Sequence, residues 1–330
     1  MKKPWESFSG VGNLYEPSLK RIVREWVLLL PGLNMCSWYL TSKGGCTMCG
    51  FNSSASAKQE YAWITEYFGS SALYAMYWFG YFGIRAQKPE RLTIYNGGNF
   101  LNSGKEVLGS KPEIPFEFQR RVCKHVARHP TIEKLFVETK AEFITPNNIP
   151  ILKEDVGEKT LQVGIGFESV DERVRNKLLK KGTTRFEFER SVSILKKNKV
   201  QALAYVFLKP VGLSEREAVE EAVNTIKYCF EHGIDEVSLS CAFIQEGTEM
   251  YKHYREGSYT PPRLWSIIEV VKRTASLGPV RVGTFEDEPP PIDVPKNCPE
   301  CTGRVNEALD QYRNSFDPTV LDNLSCLICK

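Results

Sequence analysis

Residues 202–240, ALAYVFLKPVGLSEREAVEEAVNTIKYCFEHGIDEVSLS, spell out a strand, a crossover helix and a second strand. Ala202–Leu208 is almost continuously apolar, the pattern of a strand buried on both faces of a parallel sheet. Pro210 closes it, because a residue without an N–H cannot extend the ladder. Ser214 followed by Glu217 forms a capping box ahead of the periodic run AVEEAVNTIKYCF. Glu236–Ser240 (EVSLS) is then the next strand. The helix between the two gives a parallel pairing the crossover it needs.

The same rhythm extends in both directions. Further strands are expected at Glu25–Leu30 (EWVLLL), Arg91–Tyr95 (RLTIY), Lys134–Glu138 (KLFVE) and Leu161–Phe167 (LQVGIGF), each interval leaving room for a helix. Six successive strand–helix units favour an open or closed α/β barrel over a sandwich. Thr260 with Pro261 and Pro262 starts another helix running to about Ala275, with proline where its missing donor costs nothing. The stretch EDEPPPIDVP, Glu286–Pro295, reads as a stiff extended linker. A small cysteine-bearing tail follows, in which VNEALDQYR looks helical. The expected division is an N-terminal extension over 1–24, a barrel over 25–285, and linker plus tail over 286–330.

The chain has 330 residues, 25% of them charged and 42% hydrophobic, as in ordinary globular proteins. Aromatics at 12% exclude a disordered chain. With 43 basic and 40 acidic residues the net charge is only +3, which does not by itself argue for nucleic acid. That neutrality hides an asymmetry. Asp171–Lys209 carries 11 basic and 4 acidic residues, whereas Ser214–Glu256 carries 4 basic and 10 acidic. A basic face of this kind can attract a phosphate backbone; a solvated helix face is the alternative. Along VRNKLLKK, the spacing of Arg175, Lys177, Lys180 and Lys181 predicts one accessible helical flank. Tyr67–Ile84 is uncharged for 18 residues, but its Tyr, Gly and Ser content weakens membrane transfer, so a buried aromatic helix is expected instead. The start MKKPWESFSG has no secretory signal pattern, so a cytoplasmic location without membrane contact is expected.

Seven of the ten cysteines fall into two groups. Cys36, Cys46 and Cys49 are spaced C-x9-C-x2-C directly after the Glu25–Leu30 strand. Clustered cysteines without an export signal point to metal or iron–sulfur ligation. Three thiolates on a [4Fe–4S] cluster leave one iron without a protein ligand, free to bind something else. Gly44 and Gly45 let the loop fold close around such a cluster. The competing reading is a zinc site completed by a distant residue such as His125, His129, His232 or His253. Cys298, Cys301, Cys326 and Cys329 form two CxxC knuckles, the spacing of a four-cysteine metal site holding zinc or an auxiliary iron–sulfur cluster. Cys123, Cys229 and Cys241 read as core thiols.

The ordered set GGCTMCGF, YNGGNFLN, VETKAEFIT, VGIGFESVDERVRN, LKPVGLSEREAV, YTPPRLWSIIEV, NCPEC and LSCLIC resembles the radical S-adenosylmethionine (radical SAM) superfamily. The resemblance is to its Elongator-type branch and, more narrowly, to the archaeosine-biosynthesis radical SAM family, RaSEA. It implies an α/β fold, a partial (β/α)6 TIM-like barrel with a small cysteine-bearing C-terminal extension. It further implies a [4Fe–4S] cluster on Cys36, Cys46 and Cys49 that cleaves SAM to a 5′-deoxyadenosyl radical. Gly97, Gly98 and Asn99 would take the place of the glycine-rich motif that holds the SAM amino group, although Gly-Gly is also ordinary turn punctuation. Glu138, Lys140 and Glu168 close apolar runs and are the remaining cofactor-binding candidates, a salt-bridged rim being the alternative. No residue is singled out as catalytic. The implied reaction is a C–N lyase step on tRNA, converting a lysine-bearing 7-deazaguanine base to archaeosine. The implied partners are tRNA, a lysine-transferring archaeosine synthase protein and an electron donor. A peptide or small-metabolite substrate, or a non-catalytic zinc or iron–sulfur binding module, are the rival functions.

Overall fold

A computed structural model of the chain describes residues 6–42, 44–51, 57–287 and 290–329. Its strands are β1 Ser9–Glu16, β2 Arg21–Leu29, β3 Arg91–Tyr95, β4 Lys134–Thr139, β5 Thr160–Glu168, β6 Gln201–Leu208, β7 Glu236–Cys241 and β8 Val280–Val282. Its α-helices are α1 Ser37–Thr41, α2 Ala57–Phe68, α3 Ser70–Ile84, α4 Phe116–Arg128, α5 Ile149–Val156, α6 Arg185–Lys197, α7 Glu215–Glu231, α8 Glu249–Arg255, α9 Leu264–Thr274 and α10 Pro299–Arg313.

The strands form one sheet in the order β1-β2-β3-β4-β5-β6-β7-β8. β1 runs antiparallel to β2, and every later neighbour is parallel. The sheet curls: Arg281 on β8 donates from Nη2 to the Tyr15 carbonyl on β1 at 3.1 Å, although the two strands are not paired. The result is a partial barrel. The six expected strands are present, and two more extend the sheet. β1 escapes the sequence pattern because SGVGNLYE is short of β-branched residues and only partly buried. β8 escapes it because VRV has three residues.

The core explains the strands. Leu92, Ile94, Leu135, Val137, Val163, Ile165, Ala202, Ala204, Val206, Val237 and Leu239 are wholly buried, and none of them lines the lumen inside the sheet. Trp26 is equally buried, and its indole N–H donates to Ser9 Oγ at 2.9 Å, holding β1 against β2. α7 begins at Ser214 with both halves of the capping box formed. α9 starts later than expected, at Leu264, because Pro261 and Pro262 hold the chain ahead of the first turn instead of opening it. The apolar stretch from Tyr67 is interrupted at Gly69, whose φ of 55° ends one helix and begins another. α3 buries Leu73, Met76, Tyr77 and Ile84 and exposes Phe79 and Phe82, so the expected buried aromatic helix is buried on one face. Among the described residues, no helix is long and apolar enough to cross a membrane.

The linker docks. Ile244 donates its N–H to the Asp293 carbonyl at 2.8 Å, and Ile292 donates to the Ile244 carbonyl. Glu288 and Pro289, within that linker, lie outside the described residues. α10 then packs along β8: the Tyr312 hydroxyl donates to the Val280 carbonyl at 2.6 Å, and Arg313 donates to the carbonyls of Val282 and Gly283.

Candidate active site

The loop leaving β2 carries Cys36 at the N-cap of α1 and Cys46 and Cys49 in one turn, where the Cys49 N–H donates to the Cys46 carbonyl at 3.1 Å. All three thiols line a cavity of about 330 Å³ at the C-terminal ends of the parallel strands. The same cavity is lined by Gly97, Gly98 and Asn99 after β3, by Glu138 and Lys140 at the end of β4, and by Glu168 at the end of β5. Every candidate residue of the first group therefore reaches one space. The position is where parallel α/β folds gather their loops.

A residue the sequence did not single out organises the upper end. Glu113 is fully buried and accepts from the Asn99 N–H (2.6 Å), Asn99 Nδ2 (2.7 Å), Ser37 N–H (3.0 Å) and Asn102 Nδ2 (3.1 Å). These donors come from the cysteine loop and the glycine-rich loop, so one carboxylate joins the two. Hydrogen bonds to a charged acceptor are the strong ones. Gly98 is required by this contact, since a Cβ there would lie 1.9 Å from Glu113 Oε2. The side on which a Cβ would project is thus filled by Glu113, while Gly97 beside it takes a φ of 58°. Asn99 is similarly committed: its Oδ1 accepts from the Lys140 N–H at 2.8 Å, and its Nδ2 also approaches Cys36 Sγ at 3.6 Å. Glu113 sits in the unremarkable string GSKPEIP, and only its isolation among apolar and proline residues marks it.

The charged candidates are engaged too. Lys140 is buried; its Nζ donates to Glu142 at 2.7 Å and lies 4.3 Å from the Trp38 ring centre. Glu168 has φ of 70° at a register shift in β5, a conformation a glutamate adopts only where its surroundings hold it. Lys181 supplies that hold, with Nζ 2.8 Å from Glu168 Oε1. Gly166 makes room for this lysine, because a Cβ there would meet Nζ at 2.3 Å. Burial pushes the Cys46 thiol up to about 12, with neighbouring Lys181 acting the other way. A metal bound there must therefore displace a Cys46 proton that burial favours and supply the charge that stabilises the thiolate.

Lys181 corrects an expectation. Arg175 and Lys181 do not share an accessible flank with Lys177 and Lys180. Arg175 is wholly buried, donating to the carbonyls of Thr183, Ser169 and Val170 while its guanidinium lies over Phe167. Residues Arg173–Leu178 form a π-helical turn, which breaks the 3.6-residue spacing behind the expected flank. Lys177 and Lys180 are exposed, Lys180 being paired with Glu249. None of the four histidines lines the thiol cavity. His125 and His129 instead pack together beside Tyr81, and burial lowers His125 to about 4.

Below the thiol cavity, and sharing Glu138 and Tyr205 with it, lies a larger lumen of about 890 Å³. Arg281, Arg313, Glu286 and Asp287 line it as well, so both signs of charge face one space. Burial and Glu138 hold the Tyr205 phenol well above its usual value. Beneath the lumen, the N-terminal ends of the strands are closed by ion pairs. Glu16 lies between Lys134 (2.9 Å) and Arg91 (3.0 Å), Arg91 also reaches Glu25 at 3.2 Å, and Arg281 reaches Glu236 at 2.6 Å.

The second cysteine group is separate. Cys298, Cys301, Cys326 and Cys329 converge on each other at the start of α10 and line neither cavity. Backbone N–H groups of Cys329 and Ile328 lower the Cys326 thiol to about 7.

No family model matches the chain. It is 28% identical over 298 residues to a Methanosarcina acetivorans protein named archaeosine synthase subunit beta, covering 88% of this chain and 79% of that one. It is also 28% identical over 246 residues to the Thermococcus kodakarensis protein of the same name, covering 72% and 71%. Among solved structures it is similar to the archaeal Elp3 of Methanocaldococcus infernus, with 15% identity and a TM-score of 0.48 over 78% of this chain and 61% of that one.

Proposed function

We propose that this relative of archaeosine synthase subunit beta is a radical SAM enzyme, acting as one subunit of a tRNA-modifying lyase. The observation that carries the reading is the meeting of Cys36, Cys46 and Cys49 with Gly97, Glu138 and Glu168 around one cavity above a parallel sheet. Sequence similarity to the two archaeal subunits supports the tRNA assignment and a second subunit.

The donor set fits a [4Fe–4S] cluster with SAM. Three soft sulfur ligands come from one loop, and no histidine faces the space to complete a four-ligand ion site. Thr139 also lines this cavity, and its buried hydroxyl has no hydrogen-bond partner among the described residues. When bound, the cluster and SAM supply one-electron cleavage of a carbon–sulfur bond, giving a 5′-deoxyadenosyl radical.

The chain's own residues do the positioning. Cys36, Cys46 and Cys49 would hold three irons. The Gly97 backbone, Asn99, Glu138, Lys140 and Glu168 would face the nucleotide and its amino acid, and Lys181 holds Glu168 in place. Glu113 fixes the distance between the thiol loop and the glycine-rich loop. The lumen beneath presents carboxylates and guanidinium groups together, which suits a substrate carrying both an ammonium and a carboxylate, as a lysine adduct does.

The test is anaerobic incubation with tRNA bearing the lysine adduct, in the presence of SAM, a reductant and the candidate partner subunit. Mass spectrometry of the digested tRNA should show archaeosine. SAM cleavage without archaeosine would transfer the assignment to a peptide or small-molecule substrate.

A further inference from the structure

The four tail thiols are poised around one point. Cys298 Sγ lies 3.5 Å from Cys301 Sγ and 3.6 Å from Cys326 Sγ, and Cys301 Sγ lies 3.7 Å from Cys329 Sγ. All four fall within 4.8 Å of one another. A tetrahedral ion with metal–sulfur bonds of about 2.3 Å places its thiolates about 3.8 Å apart along each edge. An iron–sulfur cube does not permit this spacing, because each thiolate takes a different iron and a core of metal and sulfide keeps the four apart. The geometry selects a single ion over a cluster.

We propose that Cys298, Cys301, Cys326 and Cys329 bind one structural zinc ion. Four thiolates close the coordination sphere and leave no position for water or substrate, which makes the site a clamp. Its placement shows what is clamped. Cys298 is the N-cap of α10 and Cys301 lies in its first turn, where the positive end of the helix dipole favours the negative charge of a zinc–thiolate centre. Cys326 and Cys329 come from the far end of the tail, and the Cys298 N–H donates to Cys329 Sγ at 3.4 Å.

One ion therefore ties residues 326–329 to the start of α10. The other end of that helix grips β8 through Tyr312 and Arg313. β8 is a three-residue edge strand with little hold of its own. Arg313 also lines the lumen, so the clamp steadies one wall of it without contributing a reactive group. None of this depends on the proposed reaction.

The test uses the full chain carrying Cys36→Ala, Cys46→Ala and Cys49→Ala, so that any remaining metal belongs to the tail. Purified anaerobically and offered iron and sulfide, this protein should stay colourless and contain one zinc per chain. Replacing the zinc with cobalt(II) should give the intense visible absorption of a tetrahedral thiolate site. Adding Cys326→Ser and Cys329→Ser should remove the zinc and lower the melting temperature. If that variant does not fold, the metal content of the first one still decides. A brown protein with about four irons would overturn zinc in favour of a cluster, a single iron would overturn the choice of metal, and no bound metal would overturn the site.

Discussion

The two ends of the sheet hold buried charge in opposite ways. At the floor, Glu16 is set between Arg91 and Lys134, and Arg91 also reaches Glu25, so these charges are committed to one another. At the upper end, Glu113 is held by N–H groups from two loops, Lys181 pairs with Glu168 beside the thiols, and three thiols face open space. The floor spends its charges on closure, and the upper end uses them to fix a shape. Changes at the floor should therefore alter stability and leave chemistry per folded molecule intact, while changes above should do the reverse.

The largest expected effect is at the thiols. Cys36→Ala, Cys46→Ala or Cys49→Ala should each abolish reductive SAM cleavage, followed as 5′-deoxyadenosine by chromatography, while melting stays close to that of the parent. Cleavage persisting in any of the three would break the comparison from above. Next is Glu16→Ala, which strands Lys134 and part of Arg91 in a buried layer and should cost about 3–5 kcal/mol in urea unfolding. If SAM cleavage per folded molecule fell with it, floor and upper end would not be separable.

The same carboxylate predicts an acid limb. Burial alone would raise Glu16, but Lys134 and Arg91 together outweigh it and hold the carboxyl at about 2, against an ordinary 4.5. A folded-state value below the unfolded one gives stability that is complete above about pH 4.5 and is lost as the pH falls toward 2. The loss is on the order of 3 kcal/mol. Glu16→Gln should flatten that part of the pH–stability curve, and an unchanged curve would remove Glu16 from the account.

Glu113→Gln should cost less stability than Glu16→Ala, about 1–3 kcal/mol, since an amide of the same shape keeps some acceptors and turns a donor toward other donors. Its signature should be weaker SAM binding by the reconstituted protein, measured by calorimetry. Tight SAM binding by this variant would show that the two loops keep their spacing without the carboxylate.

The strands at Arg91 and Ala202 were legible because burial on both faces demands continuous apolar runs. β1 and β8 were not, because an edge strand needs neither alternation nor length. The thiols, the glycine pair and the strand-end charges were legible from their spacing and from their place after apolar runs. Glu113 was hidden because its partners are backbone N–H and asparagine groups that leave no pattern in the chain. Lys181 was misplaced: a run of lysines suggests solvent, and only the turn geometry and the space left by Gly166 carry it inward.

Strand order along the sheet repeats strand order along the chain. During synthesis, each new strand therefore meets the neighbour it needs already in place, and no pairing waits for a distant segment. The cost of closing long loops before any contact forms is correspondingly small. The exceptions are instructive: Glu16 leaves the ribosome well before Arg91 and Lys134, and the Tyr15 carbonyl waits still longer for Arg281. The curled shape is thus completed last, by contacts that join the beginning of the chain to its end, after the sheet itself has been built in order.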